Sequence, residues 1–183
     1  MGRALRFNES HGRSMGRVSR GVHSIRLDRD DCVVDMAVIE ENSLVLSITE
    51  NGYGKRTDPE EYRETARNGK GVKAMNLTEK TGYLVAQLTV REDEDLMIIT
   101  DDGTIIRTPV SDIRVAGRAT QGVRLMRIGD GKRVVGVARA EAEPEEEPEA
   151  GETGENPDEA PADDLSMDLG PEEGAPEEAP PEI

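Results

Sequence analysis

Apolar residues in this chain fall in short alternating runs, and the runs repeat. Residues 44–49 read Leu-Val-Leu-Ser-Ile-Thr and residues 96–100 read Leu-Met-Ile-Ile-Thr. Each run meets a turn pair, Asn51-Gly52 or Asp102-Gly103. Such a pair after an alternating run is a strong hairpin signal, because both residues tolerate positive φ. Each run therefore predicts a strand that folds back into a second one, over residues 52–57 and 103–108.

Aligned on its glycines, the chain divides into three units. Gly2, Gly52 and Gly103 form one series and Gly21, Gly71 and Gly122 another, both stepping by 50 and then 51 residues. Further strands are predicted at residues 2–7, 21–27 and 33–38, at 71–77 and 84–90, and at 122–128 and 134–137. Between the second and third strand of a unit lies a loop of about 13 residues. Asp58-Pro59 and Pro109 stop the ladder there, since proline has no N–H to donate.

Four short strands in about 50 residues is the arithmetic of a propeller blade, so the expected fold class is all-β. The first unit lacks a strand ahead of its turn glycine, because only Met1 precedes Gly2. Stable folds avoid such an open edge, which leads us to expect a natural protein that extends further N-terminally. The expected organisation is a partial blade at 1–42, blades at 43–92 and 93–140, and a tail at 141–183.

Charge separates the tail from the body. Residues 141–183 hold 18 of the 39 acidic residues and none of the 23 basic ones, leaving 21 acids against 23 bases in residues 1–140. The tail is rich in Glu, Pro, Ala and Gly and has no aromatic residue, so it cannot bury enough apolar surface to offset its ordering entropy. A disordered acidic tail is the expectation. With no Trp and one Phe in the chain, the blade core is expected to be aliphatic. Met36, Met75 and Met126 are expected to fill it, and Cys32, within Cys32-Val33-Val34, to be a buried small residue.

The basic residues also keep the period. Arg6, Arg56 and Arg107 share one repeat position; Arg13, Arg63 and Arg114 a second; Arg17, Arg67 and Arg118 a third. Arg20, Lys70 and Gln121 form a fourth column, and His23, Lys73 and Arg124 a fifth. Core packing accounts for recurring Gly, Val and Leu but not for recurring Arg. Guanidinium groups bind phosphates bidentately, and release of condensed counterions draws such a surface to duplex DNA without sequence preference. The 13 Lys and Arg of these columns are the candidate DNA-binding residues. The competing reading pairs them with local acids such as Glu60, Glu61 and Glu64.

Other motifs carry less chemistry. Gly69-Lys70-Gly71 lacks the strand, loop and helix of a phosphate loop. Asp30-Asp31 and Asp101-Asp102 sit at expected turns, where Asp bonds locally. His11, His23, Ser14 and Ser19 have no partners at catalytic or ligand spacing, so neither a catalytic nor a metal site is expected.

Ala4-Leu5-Arg6-Phe7 followed by Arg13-Ser14-Met15-Gly16-Arg17-Val18-Ser19-Arg20-Gly21-Val22 resembles blades of the C-terminal domain of the bacterial DNA gyrase A protein. Arg67-Asn68-Gly69-Lys70-Gly71-Val72 and Gly117-Arg118-Ala119-Thr120-Gln121-Gly122-Val123 fit the same pattern, so the resemblance recurs three times over residues 1–140. It implies a β-pinwheel of propeller-like blades that exchange strands, with duplex DNA wrapped around the rim. It also implies a parent enzyme, an ATP-dependent type II topoisomerase that introduces negative supercoils. This chain would need no cofactor, ATP and magnesium being used by the catalytic core and by the gyrase B protein. The implied partners are double-stranded DNA, gyrase B and a second copy of gyrase A in an A2B2 enzyme, in the cytoplasm at the nucleoid.

The sequence departs from that family in two respects. Tyr53, Tyr62 and Tyr83 match nothing catalytic, and the basic glycine-rich box of the first blade is missing. Later blades of the domain fit that absence, and it keeps the A-type subunit of topoisomerase IV as an alternative. A protein-binding propeller scaffold is the alternative of a different class.

Overall fold

The computed structural model describes residues 1–142. Within them run β1 (Arg3–Ala4), β2 (Leu44–Thr49), β3 (Tyr53–Thr57), β4 (Val72–Lys73), β5 (Leu84–Val90), β6 (Glu94–Thr100), β7 (Ile105–Pro109), β8 (Val123–Arg124) and β9 (Val134–Glu141). The fold is all-β, and single 3-10 turns recur one period apart at Glu9–His11, Pro59–Glu61 and Val110–Asp112. In the first two, Asn8 and Asp58 accept the N–H of Ser10 and Glu60 through their side chains. These turns begin the long loop where proline and Asx residues break the ladder.

Strands from different repeats share sheets. The strand orders are β1-β4, β5-β2-β3-β8 and β7-β6-β9, with antiparallel neighbours. The second and third repeats each supply four strands, but one of the four crosses to the preceding sheet. Ala4 pairs with Val72, and one period later Gly54 pairs with Val123.

Glycine permits that crossing. Gly71 has φ +67°, and a Cβ on it would lie 2.3 Å from the carbonyl oxygen of Ala4; Gly122 has φ +76°, and its Cβ would lie 2.5 Å from that of Gly54. A side chain is thus excluded both by the left-handed backbone and by the neighbouring strand.

The two sides of β2 face two cores. Leu46 and Ile48 pack with Val90, Leu96, Ile98, Val110, Ile113, Met126 and Val134. Val45 packs with Tyr62 and Ala74. Full burial of one such aliphatic side chain is worth about 2 kcal/mol, so the alternation fixes the register of each strand.

The first repeat departs from expectation. Ile25 makes only an isolated bridge to Gly69, and residues 33–38 form no strand. Cys32 is exposed, and Met36 is 83% exposed, where both were expected in the core; Met75 and Met126 are buried as expected. The reason lies in pairing. β5 and β9 are held by β2 and β6, the strands ahead of the turn glycines. Residues 33–38 have no such partner among the described residues, so their apolar alternation has nothing to pack against. They lie instead along β5, where Asp35 Oδ2 accepts from Gln87 N at 3.2 Å and Val38 O accepts from Thr89 Oγ1 at 3.1 Å.

β9 continues through Glu141, one residue beyond the boundary that charge alone suggests. The disordered tail expected over residues 141–183 lies, from residue 143 onward, outside the described residues.

Candidate nucleic-acid interface

The five basic columns do not share one fate. In the first, the guanidinium groups of Arg6 and Arg56 turn into the protein, whereas Arg107 lies at the surface. Arg56 is 4% exposed and donates from Nε to Ile113 O at 2.6 Å and from Nη2 to Ser111 O at 3.0 Å. Arg6 repeats the contact one unit earlier, with Nη1 on Pro59 O at 2.9 Å and an ion pair to Glu60. Arg107 bonds Asp95 Oδ2 at 2.6 Å and Glu141 O at 2.7 Å. A fork of parallel donors suits backbone carbonyls as well as phosphates, and in Arg6 and Arg56 it fastens one repeat to the loop of the next. Arg56 is thereby corrected from a DNA-facing residue to an internal staple.

The third and fifth columns meet each other. Arg67 Nη1 donates to His23 O at 2.9 Å, and Arg118 Nη1 donates to Lys73 O at 2.9 Å, so each repeat grips the backbone of the one before. The remaining guanidinium nitrogens of both residues make no protein bond among the described residues. Arg17, the first of its column, has no protein partner there. In the fifth column His23 is exposed, and Lys73 Nζ bonds Asn76 Oδ1 at 2.6 Å. Arg124 lies over the Tyr53 ring at 5.4 Å and bonds its Oη at 2.9 Å. That bond to Arg124 is the main cause holding the Tyr53 phenol below its usual pKa.

The second column faces solvent throughout. Arg13, Arg63 and Arg114 are exposed, and among the described residues none forms a side-chain hydrogen bond or ion pair. Arg20 of the fourth column is likewise exposed and without such a partner, whereas Lys70 pairs with Asp28 at 3.2 Å. The structure adds a column that sequence reasoning passed over. Arg26 and Arg127 are exposed with unbonded side chains, at one repeat position with Asn76. The signal was the same step of 50 and 51, masked by the Asn in the middle unit.

Lys55 was also missed. It is fully buried, and Nζ donates to Gly117 O at 2.8 Å and Arg118 O at 2.6 Å. Burial pushes its ammonium down to about 8, against the pull of Glu61 and with the push of Arg118. Leu5 and Ile106 occupy this repeat position in the other units, so the buried amine belongs to one junction.

The acidic pairs do local work. Asp101 accepts from Arg133 N at 3.1 Å, and Asp102 bonds Thr100 and Lys132, contacts that hold its carboxyl well below the usual range. Among the described residues no group of His, Cys, Asp or Glu is arranged to hold a metal ion.

Short antiparallel sheets that recur with the 50-residue period, exchange a strand with the following repeat and carry an outward arginine at a fixed position define a blade protein of the β-propeller class. A family model described as the DNA gyrase C-terminal domain, beta-propeller, matches residues 2–40, 43–90 and 94–141. The chain belongs to that family. It is 49% identical over 143 residues to the DNA gyrase A protein of Staphylococcus epidermidis, and 48% identical to that of Staphylococcus aureus. These matches cover 77% of this chain and 16% of each relative, so the chain spans about a sixth of their length. Among solved structures it is similar to a DNA gyrase A C-terminal domain, with a TM-score of 0.71 and 26% identity over 76% of this chain and 47% of that one. A topoisomerase IV C-terminal domain gives the same TM-score at 22% identity, covering 76% of this chain and 44% of its own, which establishes a shared fold.

Proposed function

We propose that this chain is a DNA-binding and DNA-wrapping C-terminal module of the DNA gyrase A protein, supporting ATP-dependent negative supercoiling by the full type II topoisomerase. The observation that carries the reading is the column of Arg13, Arg63 and Arg114. These residues recur at 50 and 51 residues, face solvent, and have no acidic partner among the described residues. Folding gives no reason for three such arginines at one blade position. Phosphates spaced along a duplex do, because each neutralised phosphate releases counterions and needs no base to be read. A repeated blade presents the contacts at intervals, which suits backbone recognition of bent DNA.

Duplex DNA is the direct partner in this reading. Gyrase B and a second copy of gyrase A assemble through the rest of the parent protein, and ATP and magnesium act in gyrase B and in the parent's catalytic core. The chain itself uses no cofactor and works in the bacterial cytoplasm, on the nucleoid. Among the described residues no helix is long and apolar enough to cross a membrane.

The test is anisotropy with duplexes of unrelated sequence between about 50 and 200 mM salt, where phosphate-driven binding falls by orders of magnitude. Similar affinities for all duplexes, with a linear fall of log K against log salt, support the reading. Ligation of nicked circles with bound protein should then trap a change in linking number. Absence of salt-dependent binding, or capture of a protein that duplex DNA fails to displace, would favour a scaffold instead.

A further inference from the structure

The junction between the second and third repeats has a polar contact that the first junction lacks. The Gly117–Arg118 peptide unit and its flank are gripped from two directions. Lys55 Nζ donates to the carbonyl oxygens of Gly117 at 2.8 Å and Arg118 at 2.6 Å, while Glu61 Oε2 accepts the Arg118 N–H at 2.7 Å. Thr57 Oγ1 adds a bond to Ala116 O at 2.9 Å. At the corresponding positions of the first repeat stand Leu5, His11 and Phe7, which leave the equivalent turn without this clamp. The gripped turn contains Arg118 and begins three residues after Arg114, so it anchors the backbone from which both side chains extend.

We propose that Lys55 and Glu61 are positioning residues for DNA binding: a buried cation and an exposed carboxylate that together fix the 117–118 turn and aim Arg114 and Arg118 at the phosphates. The proposal rests on the DNA-binding reading above. It assigns a role at a nucleic-acid surface to a lysine that no phosphate can reach and to an acid that electrostatics alone would count against binding. An arginine held in one direction loses little side-chain freedom when it meets a phosphate, which is the advantage of a preorganised contact.

The experiment compares duplex affinity against salt for the full chain and for Lys55→Met, Glu61→Ala and Glu61→Gln, with thermal melts to establish that each is folded. Leu5 and Ile106 at the equivalent positions show that an apolar side chain suits this site of the blade. Lys55→Met should reduce the salt slope by about 1 to 2, as one or two phosphates go unneutralised, although no exposed charge is removed. The two Glu61 variants lose the same charge, but only Gln keeps an acceptor for the Arg118 amide. Glu61→Ala should therefore bind several-fold more weakly than Glu61→Gln.

A wild-type slope in folded Lys55→Met, or equal affinities for the two Glu61 variants, overturns the proposal. If Lys55→Met does not fold, the charge-matched Glu61 pair at an exposed position decides. Should the wild type itself show no salt-dependent binding, the DNA reading fails. The clamp is then judged by hydrogen exchange, and equal protection of the Arg118 amide in Glu61→Ala and Glu61→Gln overturns it too.

Discussion

Arg56 reaches across 57 residues of chain to place its Nε 2.6 Å from the carbonyl oxygen of Ile113. The bond joins β3 to the loop of the following repeat, beside a strand exchange that joins the same two repeats through Gly54 and Val123. Backbone bonds run alongside it, from Arg56 N to Arg114 O at 3.0 Å and from Ala116 N to Arg56 O at 2.8 Å. Their counterparts at the first junction include Thr65 N to Arg6 O at 3.0 Å. Neighbouring blades are therefore coupled by a repeating set of long-range bonds, with an arginine at the centre of each set.

Truncating Arg56 to Ala should cost about 3 kcal/mol, since a buried charged donor is removed and two carbonyls are left without it. Lysine at this position should recover little, because a single ammonium cannot replace a fork aimed at Ser111 and Ile113. Urea denaturation of both variants measures the loss. The salt slope of DNA binding in Arg56→Ala should stay at its wild-type value; a drop would return this residue to the DNA surface.

Two glycine positions should behave differently although both have positive φ. Gly103 has φ +82°, and a methyl group added there would point into open space, so Gly103→Ala should cost about 1 kcal/mol, the penalty of the left-handed backbone alone. At Gly122 the added Cβ would also lie 2.5 Å from Gly54 O, so the exchanged strand must move. Gly122→Ala should cost about 3 kcal/mol or more and weaken protection of the Gly54–Val123 pairing. Equal destabilisation of the two variants would show that close approach plays no part.

The glycine ladder was legible in the sequence because positive φ and backbone contact select one residue type regardless of what surrounds it. The arginine columns were legible as repeats but not as roles. The same fork that binds phosphate binds a carbonyl, and only the fold shows that Arg56 turns inward while Arg63 turns outward. Strand exchange came from the family resemblance; β4 and β8 are two residues each and carry no periodicity of their own. Residues 33–38 misled for the opposite reason. Their alternation is strand-like, but pairing stabilises a strand, and the pairing partner lies elsewhere than in the segment being read. Lys55 escaped notice because lysine is ordinarily a surface residue.

Replacing Arg13, Arg63 and Arg114 together by Ala should lower the salt slope by about 3, near 0.9 for each phosphate that is no longer neutralised. Thermal stability should stay close to wild type, because none of the three bonds another side chain among the described residues. The Arg67→Ala, Arg118→Ala double variant should differ by losing stability as well, since each residue also grips a carbonyl of the preceding repeat. A triple variant with an unchanged slope would remove this column from the DNA surface.

Lys55 gives the fold a pH dependence whose sign can be worked out. Its ammonium is lowered from 10.5 to about 8, first by burial, with Glu61 opposing and Arg118 adding to the effect. Between those values the unfolded chain keeps a proton that the folded chain has released, so unfolding binds protons and stability rises with pH. Below about 8 both states hold the proton, and the folded state carries the full cost of a buried cation. The gain of wild type over Lys55→Met should therefore grow between pH 8 and 10.5, at a limiting slope of about 1.4 kcal/mol per pH unit. Tyrosines and other lysines titrate in the same range, but they are common to both proteins and cancel in the difference. Denaturant titrations at several pH values across that window measure it. A flat difference would mean that Lys55 keeps its ordinary affinity for a proton, and that Gly117 and Arg118 solvate the ammonium as well as water does.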